Sequence, residues 1–97
     1  MIPVKRIEII VDELEVPKVL KLLDDAGVSG YTVIKDATGK GDRGLRGGDD
    51  LTGVFANSLV LTACPVEKLD LIVESLRLIL KQRGGICLVS DAQWIMH

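Results

Sequence analysis

Hydrophobic and polar residues alternate from Lys5 to Asp12, with Ile7, Ile9 and Val11 on one face and Arg6, Glu8 and Asp12 on the other; Ile10 alone breaks the pattern. A period of two marks a strand with one buried face. Val16, Leu20 and Leu23, with Val19, Leu22 and Ala26 beside them, then recur at helical spacing. A helix is predicted to start close to Pro17 and to stop before Gly27, since proline is tolerated only in a helix's first turn. Residues 30–35, GYTVIK, are short and β-branched and predict a second strand. From 54 to 63 the alternation returns, with Phe55, Leu59 and Leu61 to one side and Val54, Ser58, Val60 and Thr62 to the other. Pro65 fits a first helical position. After it, Val66, Leu69, Val73, Leu76 and Leu80 repeat every three or four residues, while Glu67, Asp70, Glu74, Arg77 and Lys81 face outward. Lys81 and Arg83 near the end suit the helix dipole, and Gly84 suits a left-handed cap. Residues 86–90 predict a fourth strand. The tail, 91–97 with Trp94, predicts a short extra strand or a segment docked on a neighbouring chain.

The order β-α-β-β-α-β is that of an α+β, ferredoxin-like fold: an antiparallel sheet with both helices on one face. Its other face would expose apolar groups such as Val54, Val60 or Cys87 unless something covered them. A domain this small gains stability by association, so a homo-oligomer packing its sheet faces inward is expected.

Length and composition narrow the picture. At 97 residues, with 47% hydrophobic and 27% charged side chains, the chain makes one globular domain, 1–97. Twelve basic against 14 acidic residues give a net charge of −2, which supplies no general field for nucleic acid or an anionic membrane. One Phe, one Tyr and one Trp make no stacking platform for RNA. No apolar run reaches about 18 residues, so direct membrane insertion is not expected and a soluble, cytoplasmic protein is. Cys64 and Cys87 stand apart without a CxxC pair, and the single histidine is His97. No metal site is expected, and both cysteines read as small buried side chains in a reducing compartment.

The remaining oddity is a glycine-rich stretch. Six of the 10 glycines (39, 41, 44, 47, 48 and 53) lie within 15 residues. Residues 35–50, KDATGKGDRGLRGGDD, carry four basic and four acidic side chains around one sizeable aliphatic, Leu45. Such a segment buries little apolar surface, and a loop of about this length, 36–53, is either functional or a solvated, charge-balanced connector. Gly39 and Gly41 permit close backbone approach, so that successive amides converge on an anion, with Lys40, Arg43 and Arg46 supplying charge. Arg43 and Arg46 are spaced to clamp a phosphate or carboxylate. No GxxxxGK[ST] loop is present, nor a dinucleotide fingerprint between strand and helix. Gly84 reads as a helix cap. Gly85 beside it is unexplained by capping and lets backbone approach a ligand or a neighbouring chain. Thr32 either meets a ligand or satisfies its hydroxyl locally, and Asp49–Asp50 reads as a solvated acidic pair.

The stretch Gly30-Tyr31-Thr32-Val33, then Gly39-Lys40-Gly41, a long loop, and a strand ending in Ala63-Cys64-Pro65 resembles the PII and PII-like signalling proteins along nearly the whole chain. GKGDRGLR, residues 39–46, is similar to the PII-like branch associated with carboxysomes and bicarbonate transport, where a G-K-G-x-R-x-x-R pattern occurs. The resemblance implies a ferredoxin-like homotrimer with adenine nucleotides in the clefts between subunits. It implies that the long segment is the family's flexible T-loop, whose conformation reports the ligand and docks on a target protein. By position, Gly30 and Thr32 would line the adenine end and Ala63 would offer backbone to the base. Gly39, Lys40 and Gly41 would start the loop beside the phosphates, Arg43 and Arg46 would contact them, and Gly85 would stand in the inter-subunit turn.

Departures from the nitrogen-sensing members sharpen the ligand. Their longer turn before the last strand, with a lysine for distal phosphates, is reduced here to Arg83-Gly84-Gly85. Asp42 stands where they have the glutamine that helps bind 2-oxoglutarate. Tyr31 sits on a strand, which leaves no tyrosine in the loop. ADP or AMP is therefore favoured, with bicarbonate near the basic groups, and the protein is expected to act in inorganic-carbon metabolism without a prosthetic group, in the cytoplasm or at the carboxysome. Two other readings share the chain's size: a microcompartment shell subunit, which needs a short pore loop, and a small acylphosphatase. The latter needs a G-x-V-Q-G-V-x-x-R segment that is absent, and Asn57 is the only asparagine. No enzymatic activity is expected.

Overall fold

A computed structural model describes residues 1–41, 44–46 and 56–96. Strand β1 spans Ile2–Asp12 and leads through a short 3-10 turn, Glu13–Glu15, into helix α1, Val16–Asp25. Strand β2 (Tyr31–Ala37) is followed by two short strands, β3 (Gly39–Gly41) and β4 (Gly44–Arg46), and then by β5, Asn57–Cys64. A second 3-10 turn, Val66–Lys68, precedes helix α2, Leu69–Arg83, and strand β6, Ile86–Trp94, follows. The main sheet has the order β2-β5-β1-β6, with every pairing antiparallel, as the ferredoxin-like plan requires.

The period-two pattern determines which side chains meet the helices. Ile7, Ile9 and Val11 of β1 and Val60 and Cys64 of β5 point to the helix side, where Val19 and Leu23 of α1 and Ile72 and Leu76 of α2 close a core with no member more than 1% exposed. Each such aliphatic side chain contributes roughly 1.5–3 kcal/mol on leaving water. Glu15, buried at the start of α1, lies 3.7 Å from Lys18 Nζ and 3.9 Å from Arg83 Nε, linking that helix start to the end of α2. At the other end of α1, Lys68 Nζ donates to the carbonyls of Ala26 (3.0 Å) and Gly27 (3.4 Å). An ammonium there satisfies carbonyls that the helix leaves unpaired and complements its dipole.

Several expectations are corrected. Val60 and Cys87 lie on the helix side, Val60 fully buried and Cys87 half-buried, so neither belongs to the uncovered face; Val54 lies outside the described residues. The uncovered face is formed instead by Ile10, Ile34, Leu59, Leu61, Ile86 and Leu88, together with Arg6 and Glu8, whose side chains pair at 3.1 Å. In α2 the buried stripe runs through Ile72 and Leu76, whereas Val66 is half-exposed in the 3-10 turn. Pro65 has an extended ψ of 148° and stands at the cap of that turn, outside the α-helix. The tail adds no separate strand up to Trp94: β6 runs on, with Ile2 opposite Trp94.

Candidate functional site

Gly30 immediately precedes β2, an edge strand whose Tyr31, Thr32 and Val33 lie opposite Thr62, Leu61 and Val60 of β5. That register places Ala63 beside the Gly30 end, and Ala63 in turn faces Arg6 across β1. Gly30, Thr32 and Ala63 therefore share one end of the β2–β5 ribbon. Thr32 is exposed on the face away from the helices, and a Cβ at Gly30 would meet nothing within 4 Å.

This end is held from the helix side by two side chains that sequence reasoning did not single out. Thr62, 5% exposed, donates its hydroxyl to the Gly30 carbonyl at 2.6 Å. Tyr31 donates its phenol to Asp24 Oδ2 at 3.4 Å. Desolvation and the Asp24 carboxylate push the Tyr31 phenol above its ordinary pKa. In the sequence, Thr62 reads as one more alternating strand residue, and only the register shows that its hydroxyl meets a carbonyl 32 positions away.

The glycine-rich residues are at the far end of β2. The strand takes an extra residue between Ile34 and Ala37, and Asp36 has φ 61° there, a left-handed conformation that Asp adopts more readily than most residues. Beyond this bulge, β3 and β4 form an antiparallel hairpin pairing Gly39 with Arg46, Lys40 with Leu45 and Gly41 with Gly44. The polar pattern gave no sign of a hairpin, because its strands have three residues each and glycines at three of the six positions. Arg43 and the 47–53 part of the expected loop lie outside the described residues.

Gly85 also lies toward that end, opposite the close of β1. Its φ of 118° and the 2.6 Å separation between a virtual Cβ and the Ile10 carbonyl oxygen show why glycine is needed: the turn presses on the chain's own backbone. Its neighbour Gly84 caps α2, with φ 80° and its N–H donating to the Leu80 carbonyl at 2.8 Å. The candidate residues thus form two groups, Gly30, Thr32 and Ala63 at one sheet end and Gly39, Lys40, Gly41, Arg46 and Gly85 toward the other. Thr32 and Gly39 are seven positions apart along β2 and its extension, on the order of 20 Å at ~3.3 Å per strand residue. One chain does not bring the two groups together. A groove of about 370 Å³ between α1 and α2, lined by Lys18, Lys21, Leu22, Leu71 and Ser75 among others, contains none of them.

Residues 4–97 match the family described as nitrogen regulatory protein P-II. The chain belongs to the P-II family. Among solved structures, this P-II chain is similar to CPII, a nitrogen regulatory PII-like protein from Thiomonas intermedia K12, bound to ADP, AMP and bicarbonate. The TM-score is 0.87 at 30% identity, covering 95% of this chain and 88% of that one. The apo form of CPII gives a TM-score of 0.79 at 27% identity, covering 95% and 91%. A PII-like signalling protein from Thermus thermophilus shares the fold, with a TM-score of 0.76 at 20% identity over 97% of this chain and 90% of that chain. The P-II chain is accordingly a PII-like protein of the CPII branch. No protein with a curated description matches it.

Proposed function

We propose that this chain is a non-catalytic regulator that assembles as a homotrimer and binds ADP or AMP, together with bicarbonate, in the clefts between subunits. Segment 36–53 then passes the ligand state to a partner protein in inorganic-carbon metabolism, in the cytoplasm or at the carboxysome. The observation that carries this reading is the likeness to CPII, 30% identical over 95% of the chain and bound to ADP, AMP and bicarbonate. Two features of the fold support it. An apolar sheet face stands uncovered in the single chain, with Ile34 50% and Leu88 58% exposed, as a face that meets other copies would be. The candidate residues also lie at opposite sheet ends, which a cleft between two chains would reconcile.

In this reading Gly30 and Thr32 line the base, and Ala63 offers it backbone groups. Gly39, Lys40 and Gly41 surround the phosphates with amides and an ammonium, and Arg43 and Arg46 bind them by charge-assisted hydrogen bonds. Gly85 stands at the subunit boundary. The nucleotide shifts the partner equilibrium only by its differential affinity for the loop's states. Titration calorimetry with ADP, AMP, ATP and bicarbonate, alongside light scattering for the oligomer, tests the proposal. Binding of ADP or AMP by a trimer, without hydrolysis, is expected; failure of every ligand to bind below about a millimolar, roughly −4 kcal/mol, would overturn it.

A further inference from the structure

The Thr62 hydroxyl and the Gly30 carbonyl, 2.6 Å apart, form a contact that lies outside both the sheet ladder and the core. We propose that Thr62 is a positioning residue for the base end of the nucleotide site: by holding the Gly30 carbonyl, it orients the peptide plane on which Thr32 and the start of β2 are hung. This rests on the nucleotide reading given above.

A peptide unit is planar, so turning the Gly30 carbonyl toward Thr62 also fixes the Tyr31 N–H in the opposite direction. Gly30 needs such a restraint more than other residues do, because it has no side chain and no atom within 4 Å of its virtual Cβ to hold it by packing. It also precedes an edge strand, where only β5 supplies ladder partners. Thr62 is suited to the task. Its backbone is fixed by pairing with both β1 and β2, and its side chain is buried on the helix side, so the hydroxyl has little freedom to point elsewhere. The Tyr31–Asp24 hydrogen bond pins the next side chain to the same face, leaving Thr32 on the opposite one. Base recognition depends on the direction of such backbone and hydroxyl groups, because hydrogen bonds weaken steeply off axis.

Thr62→Val keeps the shape and removes the donor, Thr62→Ala removes the donor with less packing, and Thr62→Ser keeps it. Each is titrated calorimetrically with ADP and with GDP, and the Tyr31 amide is followed by NMR without ligand. The expected result is that T62V and T62A bind ADP about five- to tenfold more weakly, the effect of one lost hydrogen bond. They also lose ADP-over-GDP preference, and their Tyr31 amide resonance shifts. T62S retains ADP affinity within about twofold. Unchanged ADP affinity in T62V and T62A, an equal loss for ADP and GDP, or an unmoved Tyr31 amide overturns the positioning role while leaving the nucleotide reading intact. If the wild-type chain itself binds no ADP, the nucleotide reading fails, and the positioning role with it.

Discussion

A Cβ added to Gly85 would lie 2.6 Å from the carbonyl oxygen of Ile10 and 2.9 Å from Val11 Cγ1. The Ile10 carbonyl cannot move without disturbing β1, an inner strand of the sheet, and φ of 118° already strains any L side chain. Gly85→Ala is expected to cost about 2–4 kcal/mol in urea unfolding. Gly30→Ala faces open space and is expected to change stability by less than about 0.5 kcal/mol while weakening ADP binding. A large stability loss at Gly30, or none at Gly85, would contradict this division.

Removing the ammonium that joins the two helices should weaken the fold without touching the sheet. In Lys68→Met the carbonyls of Ala26 and Gly27 lose their donor. Unfolding is expected about 1–2 kcal/mol easier, and Lys68→Arg should recover part of that. Equal urea midpoints for wild type and Lys68→Met would show that water replaces the ammonium at no cost.

Arg43→Ala with Arg46→Ala tests the phosphate end. The expected outcome is at least about a tenfold loss of ADP affinity by calorimetry, with the oligomer unchanged by light scattering. Unaltered affinity would place the phosphates elsewhere.

Alkaline pH should destabilise the protein. Burial pushes the thiols of Cys64 and Cys87 above their ordinary pKa; at Cys64 the Glu67 carboxylate adds to this and Lys68 opposes it. The native state thus disfavours thiolate, and the unfolded chain releases those protons first. Stability from this source is complete below an ordinary thiol pKa of about 8.5 and declines as pH rises through the native values. Denaturant midpoints at pH 7.5 and pH 10 should differ, and the difference should shrink in the Cys64→Ala, Cys87→Ala double variant. A slope unaffected by both substitutions would assign the alkaline loss to other groups.

Alternation made the strands legible because Ile7, Ile9 and Val11 can face a core only in one register. The same logic fell short where context decides which face is inside: Val60 and Leu59 are both apolar, and only the pairing of Val60 with Ile9 sends it to the helices. That the tail continues the fourth strand, rather than adding a strand of its own or docking elsewhere, was hidden because Asp91, Ala92 and Gln93 carry no strand propensity; they are extended because β1 pairs with them. At the candidate site, residue types indicated anion chemistry in the glycine-rich stretch, since charge and glycine are local properties. The Thr62 contact and the reason for Gly85 depend on atoms distant in sequence, which composition and spacing do not encode.

The Arg6–Glu8 pair bears on how the uncovered sheet face meets other molecules. It lies amid hydrocarbon from Ile10, Leu61 and Leu88. Whatever covers that face takes both charges out of water, and an ion pair so desolvated adds little net affinity. A partner that presents only hydrocarbon there, however, would bury unpaired the hydrogen-bonding groups that the guanidinium and the carboxylate do not spend on each other, at a cost of several kcal/mol. An apolar surface that carries such a pair therefore favours a partner with a polar group at that point over a purely apolar one.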